Sequence, residues 1–121
     1  MISGLLIDEQ PLLIIPSLAE SIGLNEALIL QQVHYRIEIN RKANKNFQEG
    51  RYWTCNSMKD WHENNFPFWS YSVVQRIFSK LENNGYLISG NYNEDKFDKT
   101  KWYTINYETT ETLGLLPIMA Y

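Results

Sequence analysis

The sequence predicts a mostly α-helical domain closed by a small antiparallel sheet, and three features carry that prediction. A helical pattern over residues 71–81 is capped by Ser70 and stopped at Asn83-Asn84-Gly85. A shorter capped helix precedes it, across a break at Pro67. Two alternating segments joined by a charged loop follow it. Helix, turn, helix and β-ribbon in that order make a winged helix-turn-helix.

Residues 5–7 and 11–16 are short apolar runs around Pro11, which cannot donate to a ladder, and read as two short strands or one extended arm. Ser17 can cap a brief helix through Ile22, with Gly23 ending it. Asn25 then opens a longer helix to about Asn40. On it Ala27, Leu30, Val33 and Ile37 share one side, while Leu28, Tyr35 and Ile39 line another. Both stripes need cover, the second from the N-terminal arm or from a second subunit.

Residues 41–51 are polar and basic and read as a loop, with a short strand at 52–54. Ser57-Met-Lys-Asp60 has the pattern of a capping box, and Met58 and Trp61 give the helix it starts an inward face. Pro67 disfavours helix at Phe66. In the helix 70–83, Tyr71, Val74, Ile77, Phe78 and Leu81 fall at three- and four-residue steps, leaving a polar, net basic side. Strands follow at 86–92, with Tyr86 and Ile88 on one face, and at 102–107. Residues 1–107 thus form one domain, and 108–121 an acidic, then apolar tail whose leucines need a dock, a second copy or a partner.

At 121 residues the chain can bury roughly 65% of its unfolded surface, enough for a real core. Its apolar runs fall far short of the roughly 20 residues that span a bilayer, and no signal-peptide pattern opens the chain. With the single Cys55, that leads us to expect a cytoplasmic protein without membrane partners. The net charge of −3 is unevenly spread: residues 41–101 carry ten Lys or Arg against seven acids, so any basic surface lies there.

If the polar face reads duplex DNA, Arg76 can grip guanine, Gln75 can pair with adenine, and Lys80 can meet phosphate. Tyr71, Ser72 and Ser79 supply hydroxyls for backbone oxygens. On the wing, 93–101, Lys96, Lys99 and Lys101 alternate with Asp95 and Asp98. Other chemistry lacks the residues it needs. His34, His62 and Cys55 have no metal-ligand spacing, and no phosphate-cradling glycine loop or nucleophile elbow occurs. No catalytic residue, metal or cofactor is expected. Trp53, Trp61, Trp69 and Trp102 each fall in a segment with an inward face, which assigns them to packing, although an exposed Phe68-Trp69 pair would favour single-strand stacking.

The segments IGLNEALILQQVHYRI, FPFWSYSVVQRIF, KLENNGYLISG and NEDKFDKTKWYTINY together resemble the N-terminal winged-helix region of phage- and plasmid-type replication initiation proteins, over about residues 10–107. The resemblance implies duplex DNA binding during replication initiation, often as a homodimer and with other replication proteins as partners. In some primosome relatives such a domain mainly oligomerises, which is the alternative expectation: a protein-interaction module that does not use the 70–83 helix on DNA.

Overall fold

Pro16 occupies the first position of helix α1 (Pro16–Ile22), where its missing N–H costs nothing and its fixed φ suits the helix. Ile15 rather than Ser17 is therefore the cap residue. Gly23, at φ +106°, ends α1 and leads directly into α2 (Leu24–Lys42); a Cβ there would run into the Glu26 carboxylate. The computed structural model describes residues 11–112, with side chains as far as residue 109. The first apolar run and the leucines of the tail lie outside the described residues.

Residues 11–15 take no regular structure. Leu12 and Ile15 pack against the core, and Pro11 and Leu13 lie beside Gln31, Gln32 and Tyr35. The arm thus covers part of the second stripe of α2, while Ile39 stays 43% exposed. The first stripe, Ala27, Leu30, Val33 and Ile37, is buried as expected, and so are Ile29, Gln31 and His34. Helices α1 and α4 and strands β2, β3 and β5 all pack on α2, which makes it the axis of the core.

The stretch expected as a basic loop holds a hairpin, β1 (Phe47–Gln48) and β2 (Arg51–Tyr52), paired antiparallel. Its two-residue turn has both Glu49 (φ +53°) and Gly50 (φ +77°) in the left-handed region, the geometry that matches strand twist. The expected strand at 52–54 is divided: Tyr52 closes this hairpin, and Thr54 starts β3 (Thr54–Cys55) in a second sheet.

Ser57 caps α3 (Met58–Asp60), its Oγ accepting the Asp60 amide at 3.0 Å. The helix then widens into a π-turn, Trp61–Asn65, with Phe66 N–H bonded to Trp61 O at 2.9 Å. Asn65 explains the widening. Its Oδ1 accepts from Gln32 Nε2 (2.9 Å) and Arg36 Nη2 (3.0 Å), which ties the turn to α2. Trp61 and Phe66 are fully buried at this junction.

Ser70 Oγ accepts the Val73 amide at 3.3 Å and starts α4 (Tyr71–Asn83). Val74, Ile77, Phe78 and Leu81 are buried, whereas Tyr71 is 44% exposed. Gly85, at φ +82°, closes the helix: its N–H reaches Glu82 O (3.1 Å) and the Tyr86 N–H reaches Leu81 O (2.9 Å), a Schellman pair.

Strands β4 (Leu87–Gly90) and β5 (Trp102–Ile105) pair antiparallel with Leu87 opposite Ile105, and the second sheet runs β3-β5-β4. Leu87, not Tyr86 or Ile88, is the fully buried member of β4. All four residues of β5 are buried because the strand is central. Tyr103 and Ile105 face the helical core, Tyr103 with its ring 5.0 Å from that of Phe78. On the other side Thr104 Oγ1 donates to Tyr52 O (2.7 Å) and Trp102 meets Tyr92. Helix α5 (Tyr107–Thr112) follows and crosses position 107/108, with Tyr107 Oη 2.7 Å from His34 Nδ1. The outcome is a mixed α/β architecture, about 51% helical, with a small antiparallel sheet. Among the described residues no helix is long and apolar enough to cross a membrane.

Candidate nucleic-acid interface

The apolar spacing that buries Val74, Ile77, Phe78 and Leu81 leaves the opposite side of α4 in water. Tyr71, Ser72, Gln75, Arg76, Ser79 and Lys80 are all exposed there. Among the described residues neither Gln75 nor Arg76 has a side-chain hydrogen bond or an ion pair, so both heads are available. Ser72 Oγ lies 3.2 Å from the capping Ser70 Oγ. Tyr71 packs edge-on against His62, whose Nε2 lies 2.8 Å from Trp69 O.

Lysines at the site divide into two kinds. Lys80 Nζ pairs with Glu26 Oε2 at 3.1 Å, and Lys101 Nζ with Glu82 Oε1 at 3.5 Å. Both lysine side chains are more than half exposed, so each pair is worth roughly 0–1 kcal/mol and is exchangeable for a phosphate. Lys96 and Lys99 have no acidic partner among the described residues; Lys99 Nζ donates to Lys96 O at 3.3 Å.

Residues 91–101 connect β4 and β5 and include the 93–101 stretch expected as a wing, and hydrogen bonds hold this segment in shape. Asp95 Oδ1 accepts the Phe97 amide (2.9 Å) and Asp95 O the Asp98 amide (3.1 Å). Asn93 Nδ2 donates to Asp98 O (3.1 Å) and Thr100 O (2.8 Å), while its Oδ1 accepts from Trp102 Nε1 (2.8 Å). Thr100, through its backbone N–H and its hydroxyl, holds the Asp98 carboxyl below the ordinary carboxylate range, so this acid stays ionised. With three acids and three lysines over residues 94–101, the wing carries no net charge.

Wing and helix meet. Gln75 and Ser79 line one polar cleft of about 210 Å³ together with Lys99, Thr100 and Lys101, closed below by Asn56, Ser57 and Tyr103. The fold therefore brings four of the sequence-derived positions, Gln75, Ser79, Lys99 and Lys101, to one cleft, with Arg76 on the same exposed helix side and Lys80 at its edge against α2.

Exposed aromatic rings lie near this face: Phe97, which the sequence did not single out, and Phe68, whose exposure the sequence sets as the sign of single-strand stacking. Phe97 is 90% exposed on the wing, and Phe68 58% exposed beside the half-buried Trp69 just before α4. Phe97 is flanked by Lys96 and Asp98, and the Asp95 two residues ahead of it is the signal for the turn that presents it. Trp53, Trp61 and Trp102 are buried, in keeping with their assignment to packing.

A larger cleft, about 720 Å³, lies elsewhere, between α2, the β1–β2 hairpin and α5, and shares no lining residue with the α4 face. Four of its charges are paired, Arg41 with Glu38 (2.6 Å) and Arg51 with Glu108 (2.9 Å), and Glu49 accepts a hydrogen bond from the Tyr92 hydroxyl. Among the described residues no group of three or more His, Cys, Asp or Glu is placed to hold a metal. Burial, with Asp98 nearby, pushes the Cys55 thiol up, away from the reactive thiolate.

Comparison with protein families, curated proteins and solved structures gives no significant match.

Proposed function

We propose that this chain is a winged helix-turn-helix module that binds duplex DNA without catalysing a reaction, with α4 as the recognition helix and residues 91–101 as the wing. The observation that carries the reading is the shared cleft of Gln75 and Ser79 with Lys99 and Lys101, beside Arg76, whose side chain has no partner among the described residues. A helix of this width fits a major groove about 12 Å across, and the adjoining lysines then lie level with the backbone. The element order, with α2, β3, α3, α4, β4 and β5 in sequence and strand order β3-β5-β4, supports the same reading. The resemblance noted above supplies the setting: replication initiation in a phage or mobile element, in the cytoplasm, with a homodimer and other replication proteins as partners.

A second reading has its own observation. Lys80 and Lys101 are already paired and the wing is neutral, which favours a protein-interaction or oligomerisation module. Salt separates the two. With three to five phosphate contacts, log affinity for a mixed-sequence duplex falls by roughly 2.7 to 4.5 per decade of salt. A flat response, or no binding to duplex, supports the interaction module instead.

A further inference from the structure

Phe97 has no role in the fold: at 90% exposure it buries almost nothing, yet the backbone that carries it is held by more hydrogen bonds than a passive loop needs. Asp95 accepts the Phe97 amide through its side chain and the Asp98 amide through its carbonyl. Asn91 and Asn93 both donate to Asp98 O, and Asn93 is itself anchored by Trp102. The ring thus projects from an ordered turn, so seating it in a partner freezes little additional backbone.

Its neighbours indicate the partner. Lys96 and Lys99 stand within two residues of the ring, as do Asp95 and Asp98, whose side chains accept the Phe97 and Thr100 amides within the loop, and Lys99 also lines the cleft with Gln75 and Ser79. An exposed aromatic ring with lysines in reach, on an arm adjoining a groove-sized helix, matches the chemistry of a base-pair step, whose faces are flat and apolar and whose edges carry phosphate.

We infer that Phe97 is a wedge that inserts from the wing between adjacent base pairs and kinks the duplex; this rests on the DNA-binding reading of α4. A pyrimidine–purine step is its preferred seat, because such steps unstack most easily.

The test compares wild type, F97A, F97W and R76A as full chains on end-labelled mixed-sequence duplexes that contain or lack a central TA step. Affinity is read by anisotropy and bending by energy transfer between the ends. Wild type and F97W bend the duplex, more strongly with TA; F97A binds about tenfold more weakly and leaves it straight. R76A weakens binding but bends whatever it still binds. Equal affinity and bending for F97A and wild type overturns the wedge and leaves the α4 reading standing. Failure of wild type to bind any duplex overturns both. Loss on F97A of self-association, with DNA binding unchanged, assigns the ring to a protein contact and also overturns it.

Discussion

Arg76→Ala and Lys80→Ala lie one helical turn apart on α4, yet the structure predicts opposite rankings for stability and for binding. Arg76 is exposed and unpartnered among the described residues, so its removal changes stability by less than about 0.5 kcal/mol. Lys80 covers the Glu26 carboxylate, whose side chain is only 13% exposed, at 3.1 Å. Losing that pair costs roughly 0.2–1 kcal/mol, or about 1 to 4 °C in Tm. On DNA the order reverses. Arg76 engages without giving anything up and contributes roughly 5- to 150-fold in affinity if it grips a guanine, or about 0.9 of salt slope if it meets phosphate. Lys80 must first leave Glu26, so its removal costs less. Anisotropy on a labelled duplex at several salt concentrations, with a thermal melt of each variant, measures both rankings. If both variants bind like wild type, or Lys80→Ala weakens binding more than Arg76→Ala, the reasoning is refuted.

Two further predictions concern the scaffold. Leu81 is fully buried beneath α4, so Leu81→Ala lowers unfolding free energy by about 2 to 4 kcal/mol in urea melts, and affinity falls only through the loss of folded protein. Burial, and secondarily Glu82, push the Tyr103 phenol up to about 12 from its ordinary 10. The folded state therefore keeps a proton that the unfolded chain releases, so this contribution to stability is whole below pH 10 and is lost between about pH 10 and 12. Alkaline urea melts of wild type and Tyr103→Phe check it, the variant showing the shallower decline over that window.

The elements that the sequence announced are those whose signals are local. Helix α4 has its cap in Ser70, its stop in Gly85 and its face in a regular apolar step, and all three fall within the helix and its ends. Elements set by distant partners were not readable in this way. The π-turn at Trp61–Asn65 exists because Asn65 reaches Gln32 and Arg36 on α2. The β1–β2 hairpin lacks the usual Asn-Gly signal and instead places Glu49 at φ +53°, which sequence does not advertise. Burial of both faces of β5 follows from Tyr52 and Tyr92 closing over it.

The same division runs through the candidate site. That Gln75, Arg76 and Ser79 face outward follows from helical period alone. That Lys80 and Lys101 are paired depends on Glu26, 54 residues from Lys80 in sequence, and on Glu82 of α4, 19 residues from Lys101. The exposure of Phe97 was hidden by its setting in a charged loop, where an aromatic residue gives no periodic signal.

Amide NMR of the full chain during titration with a mixed-sequence duplex tests the central claim most directly. The account predicts that the largest shifts gather at Ser72, Gln75, Arg76, Ser79 and Lys99, in step with the loss of free duplex. Shifts confined to the cleft around Glu38, Phe47 and Arg51, or no shifts at any duplex concentration, would contradict it.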